Sequence, residues 1–332
     1  MDGIEEIDLI SESERYLLDF SNIKSNIFSQ DNFLNKESLY DYYDDPSKGV
    51  PLLLPIKLDC FDYSQVKEIF EININEFARR IFSTKNNNYI GVKKYFQFGN
   101  QFCTGGFPKK NYIRKINQFN DINNKLKKFI TKLKKNKKKV IAFQTRNIPH
   151  LGHEKIIEML LEKYDYVVIN PVIGPKKKGD VKNQILVKVF NFLSENHYNK
   201  RIIFMPVCAN MFYAGPREAL HHACIRSSVG FDSFVVGRDH AGAENNYDPE
   251  EAINVVKKYK SSFNIEIVTH KGSYFDKSQN KIVIKDNINK NNNLLNISGS
   301  DFRNSIIQKK HFKFARKDLQ EFIYSFKQNI FY

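Results

Sequence analysis

The sequence has few cysteines, and none of them are arranged as a metal site or a disulfide framework would require. Its 332 residues include four cysteines, at positions 60, 103, 208 and 224, and no two of these form a CxxC pair. Zinc sites and disulfide scaffolds depend on cysteines at short, regular spacing. The pattern indicates reduced thiols and argues against both kinds of protein.

The sequence also lacks the segments that direct a chain to or through a membrane. No apolar run approaches the roughly 20 residues needed to cross a bilayer. The first residues, MDGIEEIDLI, are acidic and show no basic stretch followed by an apolar one, so they do not resemble a secretory signal. We therefore expect a soluble cytoplasmic protein with no membrane partner.

Acidic residues are outnumbered by basic ones, 37 to 52, which gives a net charge of +15. Such a balance is compatible with a nucleic-acid partner. Lysine and asparagine are abundant everywhere, however, including loop-like stretches such as INKNNNLLN at 288–296. This compositional bias, or anionic small substrates, accounts for the charge equally well. We expect no nucleic-acid partner.

Residues 1–135 read as an N-terminal β-rich domain. The segment VPLLLPIKLDCFD at 50–62 brackets a leucine run with prolines, which favours a strand. Strand-like pieces separated by asparagine and glycine follow at 77–100. The lysine-rich segment at 120–140 keeps helical spacing of its apolar residues, and we interpret it as a solvated helix and linker. The domain boundary is placed there.

From residue 136 to 271 the pattern predicts a Rossmann-like domain. Five apolar strands alternate with four helical segments, and strict alternation indicates a parallel sheet with crossover helices. Ligands bind such sheets at the carboxyl ends of the strands. Polar clusters follow Phe143, Val207 and Val236, so we expect three loops to converge on one crevice. Residues 272–332 look irregular until a final helix opens at ISGSDFR.

The first polar cluster, QTRNIPHLGH at 144–153, joins a buried strand to a helix. A helix N-terminus has unpaired N–H groups and a positive dipole end, so it favours phosphate. His150 and His153 lie three residues apart at that terminus. Gly152 is expected to let a substrate approach the backbone. The alternative is that these side chains only cap the helix.

The second cluster, YAGPREALHHACIR at 213–226, opens another helix. Pro216 suits the first helical turn and Glu218 suits the helix dipole. Arg217 either positions phosphates or forms an ordinary ion pair. His221 and His222 are adjacent, so they cannot share a helix face, and a metal pair is not expected.

Three further loops carry polar residues. In VVGRDHAG at 235–242, Arg238 offers a planar fork for a tetrahedral oxyanion, and Asp239 either holds the loop or takes part in chemistry. The loop KKKGD at 176–180 reads as an exposed loop or a lid. The segment ISGSDFR at 297–303 reads as a helix cap through Ser298 or Ser300.

Taken together, the ordered motifs QTRNIPHLGH, KKKGD, YAGPREALHHA, VGRDHAG and ISGSDFR resemble the ATP sulfurylase (sulfate adenylyltransferase) family. The resemblance implies a PUA-like N-terminal domain, a nucleotidylyltransferase domain and a small C-terminal α/β domain. It also implies attack of sulfate on the α-phosphorus of MgATP, which yields adenosine 5′-phosphosulfate and pyrophosphate; some lineages run this reaction in reverse. A homodimer is expected.

Residue roles also follow from the resemblance. The implied catalytic residues are Arg146, Asn147, His150, His153 and Arg238. The implied sulfate-binding residues are Gln144, Arg146, Arg238 and Ala241. The implied ATP-binding residues are Gln144, Thr145, Asn147, His150, His153, Gly237, Asp239 and His240. Magnesium is expected to arrive on ATP, without a metal site built by the protein.

The sequence departs from the family pattern at a few positions. Phe212 stands where many members have arginine, and Pro149 is displaced by one position. Two other functions remain as alternatives. The first is a related HxGH nucleotidylyltransferase that acts on a phosphorylated small acceptor; the pair Arg146 and Arg238 favours an inorganic oxyanion instead. The second, a nucleic-acid-binding protein, leaves the VGRDHAG loop unexplained.

Overall fold

The fold contains a five-stranded parallel sheet with helices on both faces. A computed structural model describes residues 7, 10–28, 30–175, 179–238, 240, 247–284 and 293–332. Their strands are Leu54–Pro55 (β1), Phe61–Asp62 (β2), Glu68–Glu71 (β3), Gln101–Thr104 (β4), Phe107–Pro108 (β5), Val140–Phe143 (β6), Tyr166–Ile169 (β7), Val172–Ile173 (β8), Ile202–Phe204 (β9), Val207–Cys208 (β10), Ser233–Gly237 (β11), Glu266–His270 (β12), Ser273–Asp276 (β13), Lys281–Ile284 (β14) and Leu294–Asn296 (β15).

The helices of the described residues lie between and around these strands. They are Arg15–Lys24 (α1), Lys36–Asp44 (α2), Ile74–Phe82 (α3), Ile90–Tyr95 (α4), Ile113–Lys135 (α5), Leu151–Leu161 (α6), Asn183–His197 (α7), Pro216–Val229 (α8), Glu251–Lys258 (α9), Gly299–Ile307 (α10) and Lys317–Tyr324 (α11). In the part of the chain that the structure describes, no helix combines the length and apolar character that a membrane span requires.

The central sheet has the strand order β12-β11-β6-β7-β9, and every neighbouring pair is parallel. The chain winds outward from β6 through β7 to β9, and then crosses back to place β11 on the other side of β6. The order therefore reverses between β6 and β11, where ligands bind in folds of this kind. The predicted parallel sheet is confirmed.

Side-chain alternation along β6 divides the apolar interior into two cores. Val140 and Ala142 belong to the core shared with α5, α8 and the N-terminal segment. Ile141 and Phe143 belong to the core shared with α6, α7, α10 and α11. Successive strand residues point to opposite faces, so a strand covered on both sides must be apolar throughout. The whole strand is buried, as its VIAF sequence requires.

The prediction of a β-rich N-terminal domain is wrong, because helices outweigh strands among the described residues of 1–135. Residues 1–135 contain a three-stranded antiparallel sheet, β1-β4-β3, and a two-stranded pair, β2-β5, but helices α1 to α5 hold more of the described residues. The segment 77–100, predicted as strands, contributes to α3 and forms α4. Asn73 caps α3 by accepting a hydrogen bond from the Glu76 amide at 3.1 Å. This cap favours the helix over a strand.

The helix predicted from the spacing of apolar residues is confirmed as α5, but it packs into the protein core and is not only a linker. Its buried residues Ile116, Phe119, Asn123, Leu126, Ile130 and Leu133 form one stripe. The buried Asn123 donates to the carbonyl of Cys208 at 3.0 Å and to the Asn22 side chain at 2.7 Å. It thereby ties α5 to both β10 and α1. Most of the lysines of α5 are exposed, whereas Lys127 is half-buried and donates to the carbonyl of Ser25 at 2.7 Å.

The C-terminal segment is more regular than its sequence suggests. Strands β13, β14 and β15 form an antiparallel sheet in the order β14-β13-β15, and helices α10 and α11 follow. Two predicted strands of the central region are also split at prolines. The backbone breaks at Pro171 between β7 and β8, and at Pro206 between β9 and β10. Proline cannot donate to a sheet ladder, which explains both breaks.

Candidate active site

A crevice of about 410 Å³ lies at the carboxyl ends of β6 and β11, at the point where the strand order reverses. The structure brings nine of the predicted site residues together there: Gln144, Thr145, Arg146, Asn147, His150, His153, Gly237, Arg238 and His240. Met211, from the loop after β10, also lines the crevice. Three strand-end loops thus meet in one place. Asp239 and Ala241, as well as 176–178, lie outside the described residues.

His150 and His153 form a reciprocal cap at the start of α6. Nδ1 of His150 accepts from the amides of Gly152 at 3.1 Å and His153 at 3.4 Å. The amide of His150 in turn donates to Nδ1 of His153 at 3.4 Å. Because each Nδ1 is an acceptor, each neutral ring carries its proton on Nε2. Two N–H donors therefore remain for a ligand.

Both imidazoles are neutral at physiological pH. Burial lowers the pKa of His150 to about 4. Burial also holds the pKa of His153 well below its ordinary value, and the nearby His150 and His270 add to the effect. The two rings lie with centroids 4.0 Å apart. Two imidazolium cations at that separation would repel each other, so neutral donors suit this geometry.

Two arginines face the crevice without a carboxylate partner among the described residues. The guanidinium of Arg146 lies over the Tyr213 ring, 5.9 Å from its centroid. The guanidinium of Arg238 lies 5.5 Å from the Tyr274 ring centroid and donates to Oδ1 of Asn296 at 3.3 Å. Aromatic faces orient these cations without neutralising them. Both are available to a tetrahedral oxyanion.

Amide side chains complete the wall at the end of β6. Oε1 of Gln144 accepts from the buried Arg226 at 2.7 Å, which leaves the amide nitrogen of Gln144 as a donor. The backbone N–H of Asn147 donates to Oγ1 of Thr145 at 3.2 Å. Oδ1 of Asn147 accepts from Arg303 at 3.2 Å. These contacts engage the side-chain oxygens of Gln144 and Asn147, so their NH₂ groups are the ends that remain to donate to an anion. Asp180 also lines the crevice.

A buried row of side chains supports His240 from behind. Nε2 of His240 lies 3.0 Å from Nδ1 of His222, and Nε2 of His222 lies 3.3 Å from Oε1 of Glu218. Glu218 also accepts from the amides of Phe212 and Ala214. Burial holds the pKa of both histidines well below the ordinary value. The row fixes the loop at 212–214 against the crevice wall.

Several lining residues were not identified from the sequence. His270, Ser273, Asn296 and Arg303 reach the crevice from the segment after β11. His270 is the last residue of β12. The rule that ligands bind at strand ends, which identified Gln144, therefore could have identified His270 from the sequence as well. Arg303 lies within ISGSDFR, which was interpreted only as a cap. Ser298 does cap α10, by accepting from the Asp301 amide at 3.2 Å.

The structure corrects the interpretation of Gly152. A Cβ atom added at Gly152 would lie 2.4 Å from Oγ of Ser273 and 3.0 Å from Cε1 of His150. The space above this glycine is therefore filled by the protein itself. Gly152 is needed for close packing of α6 against β13 and the imidazole, and not for the approach of a substrate to the backbone.

Neither interpretation of Arg217 is correct. Its guanidinium is buried and donates to the backbone carbonyls of Gly49, at 2.7 Å, and Tyr42. It therefore joins α8 to the N-terminal segment. Phe212 is also buried, with its ring 5.3 Å from that of His221 and 6.1 Å from that of Tyr95. An arginine at position 212 would have to be desolvated in this core.

His221 and His222 diverge as predicted. His221 accepts from the Val50 amide at 3.2 Å and stacks on Phe28 with ring centroids 4.9 Å apart. His222 points towards His240. Among the residues described, no group of three or more histidine, cysteine, aspartate or glutamate side chains is placed to hold a metal ion.

Comparison with known proteins adds to this geometry. Residues 121–323 match the sequence model of the ATP-sulfurylase family. The chain is 34% identical over 273 residues to a sulfate adenylyltransferase of Pyrococcus abyssi and 32% identical over 273 residues to one of Thermococcus onnurineus; each alignment covers 73% of this chain and 70% of the relative. A hexameric APS kinase from Thiobacillus denitrificans matches at a TM-score of only 0.44, with 12% identity over 67% of this chain and 43% of that chain, too weak to bear on the fold or function. The chain belongs to the ATP-sulfurylase family.

Proposed function

We propose that the chain is a sulfate adenylyltransferase, which converts ATP and sulfate into adenosine 5′-phosphosulfate and pyrophosphate. One observation carries the proposal: two arginines without carboxylate partners among the described residues and two neutral imidazole donors line a single crevice. That set of groups can hold two anions side by side. Family membership identifies the anions as sulfate and the triphosphate of ATP.

The chemistry requires alignment more than acid–base catalysis. A sulfate oxygen forms a bond to the α-phosphorus while the bond from that phosphorus to the bridging oxygen breaks, and pyrophosphate leaves with the electron pair. Sulfate is already ionised, so no proton has to be removed. The protein must hold two repelling anions in line and absorb charge as the leaving group departs.

Each described site residue takes a role in this proposal. Gln144, Arg146 and Arg238 bind sulfate. Thr145, Asn147, Gly237 and His240 hold ATP. His150 and His153 donate from Nε2 to the phosphates as charge moves onto pyrophosphate. Magnesium enters with ATP and supplies further neutralisation of the triphosphate charge. Asp239 and Ala241 are proposed to contact ATP and sulfate, respectively, as the family resemblance implies.

The remaining proposals concern domain organisation, location and assembly. We propose that residues 1–135 form a PUA-like domain built on the antiparallel strands β1 to β5 that also contains helices α1 to α5. We further propose a nucleotidylyltransferase domain at 136–271 and a small C-terminal domain at 272–332. We also propose a cytoplasmic location and a homodimeric assembly. The reaction is reversible in principle, and either direction uses the same crevice.

The proposal is tested by measuring pyrophosphate release from MgATP with a panel of acceptors. We expect release that depends on sulfate and is small with phosphorylated acceptors. In the reverse direction, adenosine 5′-phosphosulfate and pyrophosphate should yield ATP. Release that requires a phosphorylated organic acceptor and ignores sulfate would point to the alternative nucleotidylyltransferase.

A further inference from the structure

Arg226 of α8 is fully buried directly behind the crevice wall. It donates at 2.7 Å to both Oε1 of Gln144 and the carbonyl of Asn170. A weaker contact of 3.4 Å reaches the carbonyl of His222, one turn earlier. The guanidinium also lies 5.0 Å from the centroid of the Phe234 ring. Arg226 therefore connects the centre of the sheet with a residue that lines the site.

This cation has no carboxylate hydrogen-bonded to it among the described residues. Burial lowers the pKa of Arg226, and Glu218 opposes that change through space. A buried cation with only neutral acceptors is costly to a fold. The contact with Gln144 indicates what this cost serves, because Gln144 accepts from Arg226 through its oxygen and also lines the crevice.

The orientation of the Gln144 amide decides whether it attracts or repels an anion. Its oxygen would repel an oxyanion, whereas its NH₂ group donates two hydrogen bonds. Arginine has hydrogen-bond donors only and cannot accept from the Gln144 NH₂ group. Arg226 therefore favours the Gln144 orientation in which the side-chain oxygen points towards Arg226. The NH₂ group is then the end available to the crevice.

We propose that Arg226 is a positioning residue for oxyanion binding, which acts through Gln144 by holding its amide so that the NH₂ group faces the anion. The identity of the anion as sulfate rests on the proposed function. The orientation itself rests on the hydrogen bond between the two side chains.

Arg217 supplies a matched control on the same helix. It is likewise a buried arginine, and burial lowers its pKa as well. Its donors go to the carbonyls of Gly49 and Tyr42, away from Gln144. A general loss of packing or charge in α8 should therefore affect variants at both arginines, whereas an effect on sulfate should follow Arg226 alone.

The main experiment is a double-mutant cycle with Arg226→Met and Gln144→Ala. Arg226→Met should raise the KM for sulfate about tenfold or more, as expected for losing a hydrogen bond to a charged group, and should change the KM for MgATP much less. In the Gln144→Ala background it should add nothing further. Independent, additive effects would overturn the proposal, as would an equal sulfate effect in Arg217→Met.

If Arg226→Met does not fold, the same proposal can be tested through the melting temperatures of Gln144 variants. Gln144→Glu retains an acceptor for Arg226 but removes the NH₂ donors. It should melt at or above the wild-type temperature, show no rise in melting temperature on adding sulfate, and lose sulfate turnover. Gln144→Ala should melt lower, because the guanidinium loses an acceptor. If Gln144→Glu melts below Gln144→Ala, the two side chains are not coupled.

Different results would refute the proposed function and the positioning role of Arg226. A wild-type protein without sulfate-dependent pyrophosphate release refutes the proposed function, while the melting temperatures still report whether Arg226 and Gln144 are coupled. Normal wild-type activity together with additive variants refutes only the positioning role.

Discussion

His150 and His153 each accept a hydrogen bond from the backbone amide of the other. Nδ1 of His150 lies 3.4 Å from the His153 nitrogen, and Nδ1 of His153 lies 3.4 Å from the His150 nitrogen. In each ring, Nδ1 accepts a hydrogen bond that closes the first turn of α6, and Nε2 remains as a donor. Structure and chemistry are combined in the same two rings, and substitution can separate them.

We predict that His150→Asn retains stability but loses activity. Asparagine is a good N-cap, so its oxygen can replace Nδ1 as the acceptor, whereas it cannot replace the Nε2 donor. His150→Ala should cost about 0.5–2 kcal/mol of stability through the lost cap. Both variants should lose roughly 100-fold or more in turnover. Urea unfolding and pyrophosphate release check the two effects. Full activity in His150→Asn would contradict the catalytic role.

Arg146→Ala should lower turnover by roughly 100-fold or more, because an unneutralised cation at the reacting anions is lost. Folding should be unaffected, since Arg146 makes no ion pair among the described residues and only covers the Tyr213 ring. Arg80→Ala, at an exposed position on α3, is the matched control and should retain normal turnover. Comparable losses in both variants would indicate a nonspecific charge effect.

Gly152→Ala should destabilise the protein by about 1–3 kcal/mol, the usual cost of overpacking. The added Cβ would lie 2.4 Å from Oγ of Ser273. Ser273→Ala removes that oxygen and should be close to neutral alone. Combined with Gly152→Ala, it should recover most of the lost stability, as measured by urea unfolding. If the double variant is as unstable as the sum of the singles, the clash lies elsewhere.

Stability should fall as the pH drops from 7 to 5. Burial lowers the pKa of His150 to about 4 and of His221 to about 3, below the value of about 6.5 for an unfolded histidine. Between these values the unfolded chain binds more protons, so acid favours unfolding. The stability that these neutral histidines contribute is fully present above about pH 6.5, and it is lost as the pH falls from there towards their folded-state pKa values.

Each such histidine should contribute a loss of about 2 kcal/mol at pH 5, from about 1.4 kcal/mol per pH unit. Unfolding free energies at pH 5 and 7 test this directly. His221→Gln keeps an acceptor for the Val50 amide and should reduce the pH dependence by one proton. Equal stabilities of the wild-type chain at both pH values would show that these rings are not held neutral.

The central sheet was predictable because its signals are local and periodic. Buried strands such as VIAF, each followed by a helical segment, determine a parallel sheet, and the strand-end rule then locates the ligand crevice. That rule and the motifs identify Gln144, Arg146 and His153 from the sequence alone. The structure places these residues together, although their roles remain predictions.

Other features depend on contacts between distant segments, which periodicity does not encode. Arg217 follows a strand-to-helix joint, so the sequence left it open between a phosphate ligand and an ordinary ion pair. Its partners are instead the carbonyls of Tyr42 and Gly49, more than 160 residues earlier in the chain. The crowding around Gly152 comes from Ser273 in β13. Helix α3 is a different case, because its signal is local: Asn73 caps the helix, and the sequence interpretation gave more weight to the strand-like residues that follow.

We propose that an inorganic oxyanion and a triphosphate bind together in the one crevice between β6 and β11. Its most direct test is incubation of the purified chain with MgATP and radiolabelled sulfate, followed by separation of the nucleotide products. Labelled adenosine 5′-phosphosulfate should form in equal amount with pyrophosphate. Pyrophosphate without labelled nucleotide, or label transfer that persists unchanged in Arg146→Ala, would contradict a shared site for the two anions.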